Sequence, residues 1–343
     1  MEHMSYLAHY FGALSNIYSI LPSISHRLDN HKEIKEQEDK LLRVLSKLKM
    51  ILLIQSYDVV AVSGFQGSGK TTLLKNLLFD NPSEMNWLPA NLGVGENIPV
   101  LICMDENRTE ISAVRFWINR AAKPEDQIQR TAIESPKSFM ESSQKPNSED
   151  ILLELRIPIP LELKDQILSE LGGHASFLLL PGFESVDDSD KEKKYHQEKM
   201  RLALKVSVNT VIVLDPRSVM QKQKEEVLEE INTEFRHSNP VIAITHEDAF
   251  DVVPAKNKVS EKLKTDNDLS IISTGVESGP YNRENVNQWR KELLNLLGKN
   301  NNYSKMRGSY NAQLIEILME AKQIITNIEN YNEGLLNKDF DRD

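Results

Sequence analysis

The chain has 343 residues and a formal charge of −10, from 41 basic and 51 acidic side chains, a balance that excludes a general nucleic-acid binder with its concentrated basic face. Its 40% hydrophobic content supplies the core of one large α/β domain with appended helices, or of two modest domains. The single cysteine, Cys103, cannot close an internal disulfide, no apolar run approaches the ~18 residues of a membrane span, and no basic stretch opens the chain as in a signal peptide, so the expected location is cytoplasmic.

Taken in chain order, the first segment has no Asp, Glu, Lys or Arg between Glu2 and Arg27. Leu7, Tyr10, Phe11, Leu14, Ile17, Tyr18 and Leu21 recur there at helical spacing and stop at Pro22. The expectation is a helix packed on the rest of the protein or on a partner subunit, with peripheral membrane contact as the alternative. A second helix is predicted from about Leu28 to Gln55, with Ile34, Leu41, Leu45, Leu48 and Leu52 near heptad spacing. At the far end Leu314, Ile317, Ala321, Ile324, Ile328, Tyr331 and Leu335 step by three and four. Each stripe is too apolar to stand alone in water, which predicts a small helical bundle built from both ends of the chain. The division expected is 1–56 for the leading helices, 57–298 for the central domain and 303–343 for the closing helix, with Asn300–Asn302 marking the exit.

Between these ends, alternating strands and helices predict an α/β fold with a mostly parallel sheet covered on both faces. Apolar runs at Tyr57–Ser63, Ile98–Met104, Ala175–Leu180, Thr210–Leu214, Pro240–Thr245 and Leu269–Ser273 are the candidate strands. Lys191–Val206, Lys222–Phe235 and Glu284–Leu297 are the candidate helices. The polar stretch Ala121–Asp150 reads as an insertion or mobile loop.

The stretch GFQGSGKTT, from Gly64 to Thr72, fits G-x-x-x-x-G-K-[ST] between a buried strand and an amphipathic helix. Gly64, Phe65, Gly67, Ser68 and Gly69 would turn their backbone N–H groups onto phosphate oxygens, the glycines permitting the close approach. Lys70 would reach the terminal phosphates, the Thr71 hydroxyl would ligate Mg²⁺, and Thr72 continues the helix N-terminus, whose partial positive charge favours an anion. Base choice is read elsewhere. After the strand PVIAI, Thr245, His246, Glu247 and Asp248 fit [NT]-K-x-D with His in place of Lys, and the Asp248 carboxylate can accept two hydrogen bonds that guanine offers and adenine does not. Ser273 and Thr274 end the next strand where a loop touching the base edge would fall. Order and spacing favour GTP or GDP over ATP. An ATPase stays open as an alternative because TVIVLDP ends an apolar strand at Asp215, although no acidic residue follows to act as base.

With these motifs in that order, the chain resembles the dynamin-family GTPases of the bacterial dynamin-like kind. The loop GFQGSGKTT is similar to the family's G-x-Q-S-x-G-K-S-S, the segment LPANLGVGENIPV (Leu88–Val100) to its switch I, and LELRIPIP leading into LLLPGFE (Leu178–Glu184) to the strand before switch II and to switch II itself. The resemblance implies a P-loop GTPase domain with the flanking helices as a neck-like bundle. It further implies that Gln66 and Lys70 act in hydrolysis, that the Gly182 N–H meets the γ-phosphate, and that turnover follows pairing of GTPase domains, with itself or with another dynamin-like subunit. Four positions depart from the family: Gly67 replaces a Ser, Glu96 falls at the switch I Thr, Leu179 at the switch II Asp, and His246 at the Lys. These substitutions imply weakened Mg²⁺ coordination and hydrolysis. They motivate a second reading, a degenerate GTPase that serves as a nucleotide-binding scaffold for a larger partner, in which Leu179→Asp with Glu96→Thr restores some turnover.

Overall fold

The structure, a computed structural model, describes residues 12–14, 16, 32–55, 57–79, 81–82, 85–88, 97–119, 122, 128–147, 149–171, 175–182, 191–219, 240–263, 270–299 and 303–340. Helix α1 (Lys32–Gln55) leads into strand β1 (Asp58–Gly64), the glycine loop and α2 (Lys70–Leu78). Strands β2 (Val100–Asp105), β3 (Ser112–Ile118) and β4 (Ile128–Ile133) follow, then α3 (Pro136–Gln144), β5 (Asp150–Pro158) and α4 (Lys164–Leu171). The second half runs β6 (Ala175–Leu179), α5 (Lys191–Val206), β7 (Asn209–Leu214), α6 (Pro216–Val219), β8 (Val241–Ile244), α7 (Val253–Lys262), β9 (Ile271–Ser273), α8 (Arg283–Lys299) and α9 (Tyr303–Phe340).

The nine strands form one sheet in the order β4-β3-β5-β2-β6-β1-β7-β8-β9. From β6 through β9 every neighbour is parallel, so the carboxyl ends of β6, β1, β7, β8 and β9 share one edge. β2 lies antiparallel to β6, and β3 and β4 complete the far side by antiparallel pairing. The sheet is mostly parallel, as expected. Successive residues of a strand point to opposite faces, and β1 shows what that demands: Val59 and Ala61 enter one apolar cluster, Val60 and Val62 the other. A strand buried on both faces has few polar positions to give, which is why strands of this kind read as near-continuous apolar runs.

One face is covered by α1, α5, α7 and α9. Leu41, Leu45 and Leu48 of α1 have no exposed surface, and Ile317, Ala321, Ile324 and Ile328 of α9 join them in the same cluster. The predicted stripes therefore pack on each other and, through α1, on the sheet. Polar contacts fix their register, with the Tyr310 hydroxyl donating to Gln55 Oε1 (2.8 Å) and Ser309 Oγ to the Lys205 carbonyl (2.7 Å). The other face carries α2, α3, α4 and α8 through Leu74, Leu77, Phe139, Ile167, Leu293 and Leu297. Among the described residues no helix is long and apolar enough to cross a membrane.

The stretch Ala121–Asp150 is not simply an insertion loop, since it holds β4 and α3. β4 is an edge strand with no buried residue, so it shows no apolar alternation to read. The apolar stripe near the start lies outside the described residues except for Leu14, which is buried in the cluster with α1 and α9. The predicted helix Lys222–Phe235 and the position Glu96 also lie outside them.

Candidate functional site at the carboxyl ends of the parallel strands

The glycine loop turns sharply off β1. Gly64 has φ +147, and a Cβ there would fall on the Val213 carbonyl of the adjacent strand, so the loop can leave the sheet only from a glycine. The turn closes with Ser68 N–H on the Phe65 carbonyl (3.1 Å), and α2 begins with Leu73 N–H on the Gly69 carbonyl (2.8 Å). The first N–H groups of a helix point out of its N-terminus, which sets partial positive charge facing the loop. Lys70 is buried, and its Nζ donates to the Phe65 (3.0 Å) and Gly64 (3.3 Å) carbonyls across the loop mouth. Gln66 and Gly67 are exposed at the crest, while Thr71 and Thr72 are half-buried in the first turn of α2. Ser68 Oγ is buried and makes no hydrogen bond among the described residues.

The end of β6 comes up against this loop. Leu180 N–H donates to the Val62 carbonyl (3.0 Å), and the chain continues through Pro181 to Gly182. Gly182 passes so close to Gln66 that a Cβ would sit 2.6 Å from the Gln66 nitrogen. Any side chain there would push the two segments apart, and Gly182 is thereby held beside the crest of the glycine loop. Gln197 Nε2 of α5 donates to the Gly182 carbonyl (3.2 Å). Leu179, where the resemblance leads one to expect an acidic residue, pairs with Val62 and Val100 and is fully buried in the apolar cluster around α2.

On the other side, the segments after β8 and β9 are zipped together. Thr274 N–H donates to the Ile244 carbonyl (2.8 Å), Glu247 N–H to the Thr274 carbonyl (3.1 Å), and Val276 N–H to Asp248 Oδ1 (3.2 Å). Buried Thr245 Oγ1 donates to the Ser68 carbonyl (2.8 Å), with the Leu214 carbonyl at 3.3 Å. That hydroxyl braces the glycine loop against β8. Gly69, Thr72, Asn76, Thr245, His246, Asp248, Thr274 and Trp289 line a cavity of about 100 Å³. Its floor is set by α8, where Trp289 Nε1 donates to the Gly275 carbonyl (3.0 Å).

His246 takes a left-handed backbone (φ +63) that places Ala249 and Phe250 N–H groups on its carbonyl. Its Nε2 lies 3.7 Å from Asp215 Oδ2 at the end of β7. Burial pushes the Asp215 carboxyl up, but hydrogen bonds from the Arg217 side chain and N–H outweigh it and leave it below the usual aspartate range. Both Asp215 oxygens are engaged: Arg217 Nη2 is 2.5 Å from Oδ2, and the Arg217 N–H is 2.8 Å from Oδ1.

Gly64 to Thr72, Gly182, Thr245, His246, Asp248 and Thr274 thus converge on one edge. Ser273 does not join them. It lines a neighbouring cavity with Glu247, Lys256, Tyr281 and Gln288. Asn76, Trp289 and Gln197 were missed by sequence reasoning. Trp289 stands in the apolar stripe of α8 and reads as core, and Gln197 carries no sequence signal because its contact is purely tertiary. The cradle of glycines, the Lys70 ammonium and the carboxylate opening onto the cavity fit a nucleoside polyphosphate, and Thr71 places a hydroxyl in the first turn of α2, an oxygen ligand of the kind Mg²⁺ takes.

No family model matches the chain, and no curated protein matches it in sequence. The structure is similar to two solved structures of an oligomerised bacterial dynamin pair, described as providing a mechanism for the long-range sensing and tethering of membranes. One shares 17% identity over 95% of this chain and 58% of its own, with a TM-score of 0.46. The other shares 15% over 96% and 50%, also at 0.46. The chain spans about half the length of these proteins. It is also similar to Era of Aquifex aeolicus bound to GDP and AlF4⁻ (14% identity, 69% of this chain, 55% of that chain, TM-score 0.35). A GTP-binding protein of Sulfolobus solfataricus in complex with GDP gives 14% identity over 86% and 67%, at 0.35. Each is a likeness of fold at low identity.

Proposed function

We propose that the chain binds GTP with Mg²⁺ at this edge and hydrolyses it as a dynamin-like GTPase, with residues 57–298 as the GTPase domain and 1–56 with 303–343 as the neck. The observation that carries the reading is the bond from Thr245 Oγ1 to the Ser68 carbonyl beside Asp248, which joins the phosphate loop and the base-side segment into one site. The Gly67, Ser68 and Gly69 backbone and Lys70 would neutralise phosphate charge, Thr71 would hold Mg²⁺, and Asp248 would accept from guanine N1–H and N2–H₂. Gln66 and Gly182, adjoining at the crest, would orient water toward the γ-phosphate. Pairing of two GTPase domains, or of this one with another dynamin-like subunit, would order Gln66, and any membrane contact would be peripheral. Titration with fluorescent GTP and ATP analogues tests the base choice: GTP binding at least about tenfold tighter, the difference disappearing in Asp248→Ala, is expected, and equal affinities would overturn it.

A second reading, a nucleotide-gated scaffold without turnover, is favoured by Leu179. Its full burial leaves no carboxylate from β6 to orient a Mg²⁺-bound water. Single-turnover assays separate the two: bound GTP unchanged over hours would select the scaffold. An ATPase is disfavoured because Arg217 engages both oxygens of Asp215.

A further inference from the structure

Strand β9 ends the sheet on one side, and its outer edge is open. Ile242 N–H donates to the Ser270 carbonyl and Thr274 N–H to the Ile244 carbonyl (both 2.8 Å), so alternate residues of this strand face β8. Ile271 and Ser273 fall between them. Their N–H and C=O groups point away from the sheet, where no described residue pairs with them. A cavity of about 400 Å³ runs along this edge. All three residues of β9 line it, as befits a slot beside the strand rather than over one face, since neighbours on a strand point opposite ways. The two helical layers form its walls. Lys256 of α7 stands on one side, and Asn285, Gln288 and Glu292 of α8, at helical steps of three and four, stand on the other. Among the described residues the Lys256, Gln288 and Glu292 side chains have no partner, and buried Ser273 Oγ makes no hydrogen bond. Past the end of β9 the Tyr281 hydroxyl donates to Glu247 Oε2 (3.1 Å) and bounds the slot. Only Trp289 lines both this cavity and the one beside Asp248.

We infer that this edge takes an extended segment of a partner protein as a tenth strand, one that carries an acidic and a basic residue next to each other in sequence. The outward N–H and C=O groups of Ile271 and Ser273 supply the main-chain bonds by which a strand adds to a free sheet edge. The three residues of β9 match about 10 Å of extended chain. Successive side chains of such a segment point to opposite faces, so one meets the Lys256 ammonium and the next meets the Glu292 carboxylate and the Gln288 amide. The walls thereby select opposite charges at adjacent positions. A second copy of this chain is a poor occupant, because its own β9 is recessed between α7 and α8 in the same way and cannot reach this one.

The test uses the full chain and the acetylated, amidated hexapeptide Thr-Val-Glu-Lys-Val-Thr, read by calorimetry and by amide exchange in NMR. The peptide is expected to bind and to slow exchange at Ile271 and Ser273, leaving Ile272, which faces β8, unchanged. Thr-Glu-Val-Lys-Val-Thr, which puts both charges on one face, is expected to bind about fivefold more weakly, and N-methylation of the four central amides of the first peptide to abolish binding. Lys256→Glu is expected to lower affinity for the first peptide about fivefold and to restore it for Thr-Val-Lys-Lys-Val-Thr. Equal affinity for the one-face or the N-methylated peptide would overturn the inference. So would binding of none of them, which would show that the charges guard the edge. Protection of Ile271 and Ser273 in the protein alone would also overturn it, giving the edge to a second copy if it grows with protein concentration and to a segment of this chain if it does not.

Discussion

In the proposed reading, base choice turns on Asp248. Its Oδ1 already accepts the Val276 N–H, so the carboxylate is held in one orientation at the cavity wall before any ligand arrives. Asp248→Asn puts an amide donor where two acceptors are needed and is expected to lower GTP affinity by about 1–3 kcal/mol, roughly 5- to 150-fold, with ATP binding unchanged in calorimetry. Leu179 makes the opposite point. The sequence suggested that an aspartate there, together with Glu96→Thr, would restore some turnover, but the side chain is fully buried in the apolar cluster that also holds Val62, Leu73 and Leu74. Leu179→Asp is therefore expected to lower unfolding free energy by about 3 kcal/mol or more, measured by urea denaturation at pH 7. Ser273 and Thr274 show why a site is harder to read than a motif: neighbours on a strand point to opposite faces, so one of the pair meets the Asp248 cavity and the other turns away.

At the scale of elements, α5 and the sheet share a buried charge that contributes to alkaline stability. Burial pushes the Lys199 ammonium down to about 8, with the Asp150 carboxylate opposing. Above that value the folded chain sheds a proton that the unfolded chain keeps up to about 10.4, so the unfolded state binds more protons and stability rises with pH in this window. The difference in unfolding free energy between wild type and Lys199→Met should therefore move in favour of wild type from pH 8 to 10; a difference that does not change would show that the ammonium is not desolvated. Asp215 works at the acid end with the reverse window. Its depressed folded value contributes stability that is present above the ordinary aspartate range and is lost as pH falls through the folded value. Asp215→Asn is expected to be less stable than wild type at neutral pH, and the gap should close in strong acid. The elements that the sequence made legible are those whose pattern is enforced by burial. β1, β6, β7 and β8 are largely apolar because helices cover both faces, and α1 and α9 announce themselves by stripes that interlock. β4 was hidden because its exposed edge places no constraint on IQRTAI, and β3 because Arg115, paired with Asp150, interrupts its apolar run.

Over the whole molecule, five parallel strands bring their carboxyl ends to one edge, where a ligand crevice is expected in sheets of this kind. The phosphate loop was readable from a few consecutive residues, because its glycines and lysine are demanded by local backbone geometry. The bracing hydroxyl of Thr245, the tryptophan floor and the Gln197 contact were not, because each joins segments far apart in the chain. Packing of α1 and α9 on the sheet means that the flanking helices and the central domain share one core, so a change at the edge has a short mechanical path to them. Leu45→Ala, which opens a cavity at the meeting of α1 with that core, is expected to cost about 2–5 kcal/mol in denaturant unfolding and to weaken nucleotide binding with it. The most direct measurement is GTP turnover per molecule with Mg²⁺ across a range of protein concentrations, on wild type and Lys70→Ala. A specific rate that climbs with concentration and vanishes in Lys70→Ala is the predicted result, and turnover that ignores Lys70, or a preference for ATP, would contradict the account.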